Sequence, residues 1–122
     1  MLAMIAGKVA LMAIAALQLG TATPSAHMSK PTANSSCDVK ATFSWQGYST
    51  ASKAVVKVTD ETTHFTASTS HSASATGKLS FTAPAVTNST KNTFKFVGHL
   101  YNKGGTQLAQ ASNSGSFDCI FG

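Results

Sequence analysis

From residue 38 to residue 46 the chain alternates without a break. Cys37, Val39, Ala41, Phe43 and Trp45 fall on one side, and Asp38, Lys40, Thr42, Ser44 and Gln46 on the other. This period of two predicts a strand with one face buried, and Gly47 ends it. A second strand is expected over residues 53–59, with Ala54, Val56 and Val58 inward and Asp60-Glu61-Thr62 as its turn. A weaker third falls at 64–69. A clearer fourth runs over 77–83, with Leu79, Phe81 and Ala83 inward and Pro84 stopping it. The fifth spans 93–101, with Phe94, Phe96, Gly98 and Leu100 on one face; Asn102-Lys103-Gly104-Gly105 then gives a strong hairpin signal. The chain returns through 106–112 and, after Asn113-Ser114-Gly115, continues as 116–121. No helical period appears past the first twenty residues, and no internal repeat.

Ahead of this run the pattern changes. Residues 1–19 carry one charge, Lys8, and then a continuous apolar stretch too short to cross a bilayer permanently. Residues 1–22 are read as a signal peptide cut after Ala22, with Ala26 the alternative cut. Neither site is followed by cysteine, and no second stretch has the length of a membrane anchor, so a secreted or periplasmic protein is expected. Residues 23–36 are polar and punctuated by proline, which reads as a flexible linker ahead of one domain over 37–122.

Export gives meaning to the two cysteines, Cys37 and Cys119, which bracket the strand-rich region and are expected to form a bridge. A domain of this size buries a modest core, and closing so long a loop restricts the unfolded chain by roughly 4–5 kcal/mol on the chain-entropy model. The bridge also constrains topology. If strands alternate up and down, both cysteines share one end only when the strand count between them is even. Six strands are therefore expected, with Asn113-Ser114-Gly115 a bulge inside the last; a seventh strand sets the sulfurs too far apart.

The segment Phe94-Lys-Phe96-Val-Gly98-His-Leu100-Tyr-Asn102-Lys-Gly-Gly105 resembles the penultimate strand and following turn of a fibronectin type III domain. Leu100, Asn102 and Gly105 fall in step with that family's pattern, and Trp45 sits where its second strand carries a core tryptophan. The resemblance covers most of residues 39–112. The chain departs from the family in its missing leading strand and prolines, in Gly98 where an apolar residue is usual, and in its cysteines. It implies an all-β, six- to seven-stranded antiparallel sandwich, fibronectin type III-like or more loosely immunoglobulin-like, with one disulfide linking its ends. It also implies recognition more often than catalysis.

Composition excludes some chemistry. The net charge is +5, or +4 without Lys8, and all nine basic residues are lysines, set singly along the chain. Without arginine's bidentate fork, nucleic acid is not an expected partner; the lysines read as solubilising charge scattered on strands, with mild attraction to anionic glycans or cell surfaces the alternative. Asp38, Asp60, Glu61 and Asp118 are the only acids, and Asp60 and Glu61 are neighbours that suit a turn. No Gly-x-Ser-x-Gly elbow and no paired carboxylates appear, and bridged cysteines cannot act as nucleophiles, so an enzyme is not expected. No metal or cofactor is expected either. His64 and His71 lie seven apart, on opposite faces of a continuous strand. One metal reading is kept: cleavage after Ala26 exposes an amino-terminal His27, which with a second imidazole chelates copper in histidine-brace proteins.

The function expected is that of a secreted, non-catalytic module binding a protein or a surface glycan. Alternatives are a secreted inhibitor or toxin-like effector acting through residues 47–52 or 86–92, and copper binding at His27. If the second, fifth and sixth strands are neighbours, Lys57, Lys95, Val97, His99 and Tyr101 share an outward face with Lys53, Val55, Leu108 and Gln110, and that face is the candidate binding surface. Residues 62–76 are dense in Ser and Thr and read as a decorated loop or a solvated edge strand; Asn34 and Asn88 open glycosylation sequons.

Overall fold

The structure is a computed structural model that describes residues 23–83 and 91–118. Eight strands are present among the described residues: β1 (Ser25–Met28), β2 (Thr32–Ala33), β3 (Val39–Gln46), β4 (Ala51–Asp60), β5 (Phe65–Ser72), β6 (Gly77–Thr82), β7 (Lys91–Asn102) and β8 (Gln107–Asp118). No helix is present among those residues, and so none long and apolar enough to cross a membrane. The strands form two antiparallel sheets. In one, β3 is central, with β1 and β2 along one edge and β6 along the other; the second runs β5-β4-β7-β8.

The alternation in the sequence places the core. Val39, Ala41, Phe43 and Trp45 of β3 and Leu79 of β6 meet Ala54, Val56 and Val58 of β4 and Phe94, Phe96 and Leu100 of β7 in one cluster between the sheets. Phe43 and Phe96 are fully buried. The rings of Phe43 and Trp45 lie 5.3 Å apart, and the Trp45 indole donates to the Ser74 carbonyl at 2.9 Å, which satisfies its one polar group inside the core. Gly98, also buried, faces the Phe43 ring so closely that a Cβ there sits 2.4 Å from it. The space a side chain at position 98 would need is occupied by the Phe43 ring.

Three expectations are corrected. Residues 23–36 are not a flexible linker throughout, since β1 pairs with β3 from Ser25↔Gln46 to Met28↔Phe43, and β2 pairs with it beyond. Met28 is 2 % exposed and belongs to the core. Two inward residues, Ala26 and Met28, were too short a signal for periodicity to register. The strand count among the described residues is accordingly eight rather than six or seven, with β1 and β2 ahead of β3.

The third correction concerns Asn113-Ser114-Gly115, which is neither turn nor bulge. The β7–β8 register passes straight through it, Phe96↔Asn113, Lys95↔Ser114, Phe94↔Gly115. These residues form a seam with the first strand instead. The Asn113 amide donates to the Met28 carbonyl at 3.2 Å, Lys30 Nζ donates to the Ser114 carbonyl at 2.8 Å, and Pro31 lies against Gly115. The irregularity falls at the other end of β8, where Leu100 pairs with Ala109 but Tyr101 pairs with Gln107. Leu108 is the extra residue, and it packs half-buried against the core rather than facing outward.

Candidate functional site

The neighbour order β4-β7-β8 brings the five candidate residues onto one sheet. Lys57 is paired with Val97, Lys95 with Thr59, His99 with Val55, and Tyr101 with Lys53. All five stand on the solvent side, Lys57 and Lys95 exposed, Val97, His99 and Tyr101 half-buried beneath their neighbours.

At the β7–β8 hairpin end these side chains interlock. The His99 and Tyr101 rings stack at 6.0 Å with 17° between their planes, and Lys53 Nζ lies 5.5 Å from the Tyr101 ring centre. His99 Nδ1 and Gln107 Oε1 are 2.6 Å apart, an arrangement in which the ring nitrogen carries the proton and donates. Gln107 reaches this place because the extra residue Leu108 shifts the register and sets Gln107 opposite Tyr101. The hairpin holds them there. Asn102 Oδ1 accepts from Thr106 N–H at 2.9 Å, Gly105 N–H donates to the Asn102 carbonyl at 3.0 Å, and Gly105 takes the left-handed φ of 88° that its lack of a Cβ permits.

The rest of the face is polar and basic. Thr66, Ser68, Ser70 and Ser72 of β5 lie opposite Thr59, Lys57, Val55 and Lys53. Beyond β7 come Gln110, Ser112 and Ser114. The acid on this face, Asp118, stands at its far end opposite Lys91. The sheet thus presents Lys53, Lys57 and Lys95 with no carboxylate between them among the described residues. Lys53 belongs to this face as expected; Gln107 and the serines of β5 belong to it as well but were not among the residues singled out, and for the serines the pairing of β5 with β4 carries the signal.

The other candidates do not converge. No group of three or more His, Cys, Asp or Glu able to hold a metal occurs among the described residues. His27 lies exposed in β1 opposite Ser44, beside a cleft of about 180 Å³ lined also by Ser25, Trp45 and Gln46. A second cleft of about 350 Å³ is lined by Thr32, Ala33, Asn34, Asp38, Lys40 and Thr82. Asp60 is the turn former expected. It is 1 % exposed, and Oδ1 accepts from Thr62 N–H at 2.9 Å and Thr63 N–H at 3.3 Å, while Oδ2 is buried without a hydrogen-bond partner.

Residues 47–50 form a short turn tied down by Tyr48, whose N–H donates to the Ala75 carbonyl at 3.1 Å and whose ring packs on the core; residues 51–52 already belong to β4. Residues 62–76 prove to contain the solvated edge strand β5. The Asn34 side chain is engaged as a turn former. Its Oδ1 accepts from Ser36 and Asp38 N–H at 2.9 Å each, and its amide donates to Asp38 Oδ2 at 3.3 Å. Residues 1–22, read above as a signal peptide, together with Asn88, most of the loop 86–92 and Cys119, lie outside the described residues. No protein-family model, curated protein or solved structure matches the chain.

Proposed function

We propose that this chain is a secreted, non-catalytic sandwich module that captures a protein or a surface glycan on the outward face of β5-β4-β7-β8. The observation that carries this reading is the prebuilt ladder Lys53–Tyr101–His99–Gln107 on a hydroxyl-rich sheet with three lysines. Aromatic side chains already held in place lose little freedom on binding, and a hydroxyl-lined basic surface complements polar or anionic partners.

The type proposed is fibronectin type III-like or, more loosely, immunoglobulin-like. The strand order β5-β4-β7-β8, a facing sheet centred on β3, and the Asn102 turn support it. A bridge between Cys37 and Cys119 is part of the proposal. Cys37 is not a free thiol, the chain has one other cysteine, and six alternating strands, β3 to β8, return Asp118 to the end where β3 begins.

The test is capture from the native extracellular milieu by the immobilised chain, with a Tyr101→Ala/Val97→Ser variant beside it. Both positions are half-buried on an outer face, so the variant keeps the wild-type far-UV circular dichroism. Its capture is expected to fall about tenfold or more, as for loss of a central aromatic anchor. Protease or glycosidase treatment of the captured material separates protein from glycan. Undiminished capture by the folded variant removes this face from the function.

A further inference from the structure

A β-sandwich has open sheet edges, and natural sequences guard them with lysine, proline, bulges or a covering segment. Here β1 and β8 cover each other through the Asn113 and Lys30 bonds. β6 is six residues long and carries Lys78. The edge strand β5 is different. It pairs with β4 alone, runs for eight residues in unbroken register, and contains neither proline nor a charged Lys, Asp or Glu.

Its backbone polarity is readable. Ala73 N–H donates to the Ser52 carbonyl, one step beyond the Lys53↔Ser72 pair. Hydrogen-bonded pairs alternate along an antiparallel ladder, so His71, Thr69 and Ala67 turn their amides and carbonyls toward β4. Thr66, Ser68, Ser70 and Ser72 turn theirs away, toward solvent. The large apolar side chain left exposed among the described residues, Phe65 at 46 %, stands at the start of the same strand.

The geometry points to β5 as a self-association edge, where a second copy of this chain adds its own β5 antiparallel to the first. Charge admits this occupant: in a chain of net charge +5, β5 carries no Lys, Asp or Glu, so two identical copies meet along it with no like charge on the seam, whereas β8, which also lacks lysine, is engaged by Met28 and Lys30. Antiparallel pairing of identical strands is two-fold and closes as a dimer. With the axis at Ser68, Thr66 pairs with Ser70 of the second copy, and the exposed Phe65 lies opposite its His71. The eight-stranded sheet so formed joins the outward faces of both copies into one surface, although this association rests on the edge and not on that face.

Sedimentation velocity of the full chain over a wide concentration range is the experiment, with amide hydrogen exchange at low and high concentration. A monomer–dimer equilibrium is expected, with the amides of Ser68 and Ser70 slowing as dimer forms. Ser68→Pro removes an outward N–H and leaves the β4 ladder intact, and Ser70→Lys sets one lysine from each copy into the seam, opposite Thr66 of the other copy, in a pair already basic. Each is expected to weaken association about tenfold or more, and Phe65→Ser to weaken it as well. Where Ser68→Pro fails to fold, Ser70→Lys, at an exposed position, carries the test. Tyr101→Ala/Val97→Ser is expected to dimerise like wild type. A wild-type chain monomeric at every concentration overturns the proposal, as does a dimer that survives Ser70→Lys with Ser68 and Ser70 amides unprotected.

Discussion

A methyl group at position 98 has nowhere to go. The Phe43 ring lies 2.4 Å from where its carbon would sit, and Phe43 is itself fully buried between the sheets. Gly98→Ala is therefore expected to cost about 1–3 kcal/mol through overpacking, read as a lower denaturant midpoint. Combining it with Phe43→Leu should cost less than the sum of the two single changes, because the smaller side chain opens the space. Strict additivity would place the clash elsewhere. Asp60 poses a different residue-scale question, since one of its oxygens is used twice and the other not at all. Asp60→Ala strips Thr62 and Thr63 of their acceptor and is expected to cost about 1–3 kcal/mol. Asp60→Asn keeps the Oδ1 acceptor and gives the unpartnered position an amide instead, so its loss in thermal or chemical melts should be clearly the smaller. Equal losses would mean that the carboxylate does more than hold this turn.

At the scale of the element, β1 shows how a strand hides in a sequence. Periodicity needs several inward residues to register, and β3, β4, β6 with the residue after it, and β7 supply them: Val39 to Trp45, Ala54 to Val58, Leu79 to Ala83, Phe94 to Leu100. Their inward sets follow from alternation alone. β1 offers Ala26 and Met28, flanked by proline and serine, and nothing local distinguishes it from a linker. What makes it a strand is tertiary, the β3 edge on one side and the Asn113 and Lys30 bonds on the other. Asn113-Ser114-Gly115 misleads for the same reason, its polar side chains serving a seam rather than a reversal. The candidate surface was legible as far as alternation and neighbour order reach, which covers Lys57, Lys95, Val97, His99 and Tyr101. Gln107 was not, because its place opposite Tyr101 depends on the one-residue slip at Leu108. The strand character of β1 has a direct check. Met28→Ala should cost about 2–5 kcal/mol as a buried large-to-small change. A melt unchanged from wild type would return residues 23–36 to the status of a linker.

At the scale of the whole molecule, β1 and β2 lie outside the loop that Cys37 and Cys119 would close, while all six strands from β3 to β8 lie inside it. The proposed bridge would therefore act on both sheets at once. Closing a loop of about 80 residues removes roughly 4–5 kcal/mol of unfolded-state freedom, a large part of the roughly 5–15 kcal/mol that domains possess. The paired residues of β3, β4, β6 and β7 already define the register without it, so such a bridge would fix stability more than geometry. A Cys37→Ser/Cys119→Ser chain should keep the far-UV signature and partner capture of the wild type at low temperature, yet unfold at a markedly lower denaturant midpoint. The intact unreduced wild-type chain should weigh less than its reduced form by two hydrogens. A double variant that melts with the wild type would show that packing between the two sheets holds the fold unaided. A variant that never folds would show that the bridge selects the strand order as well as stabilising it.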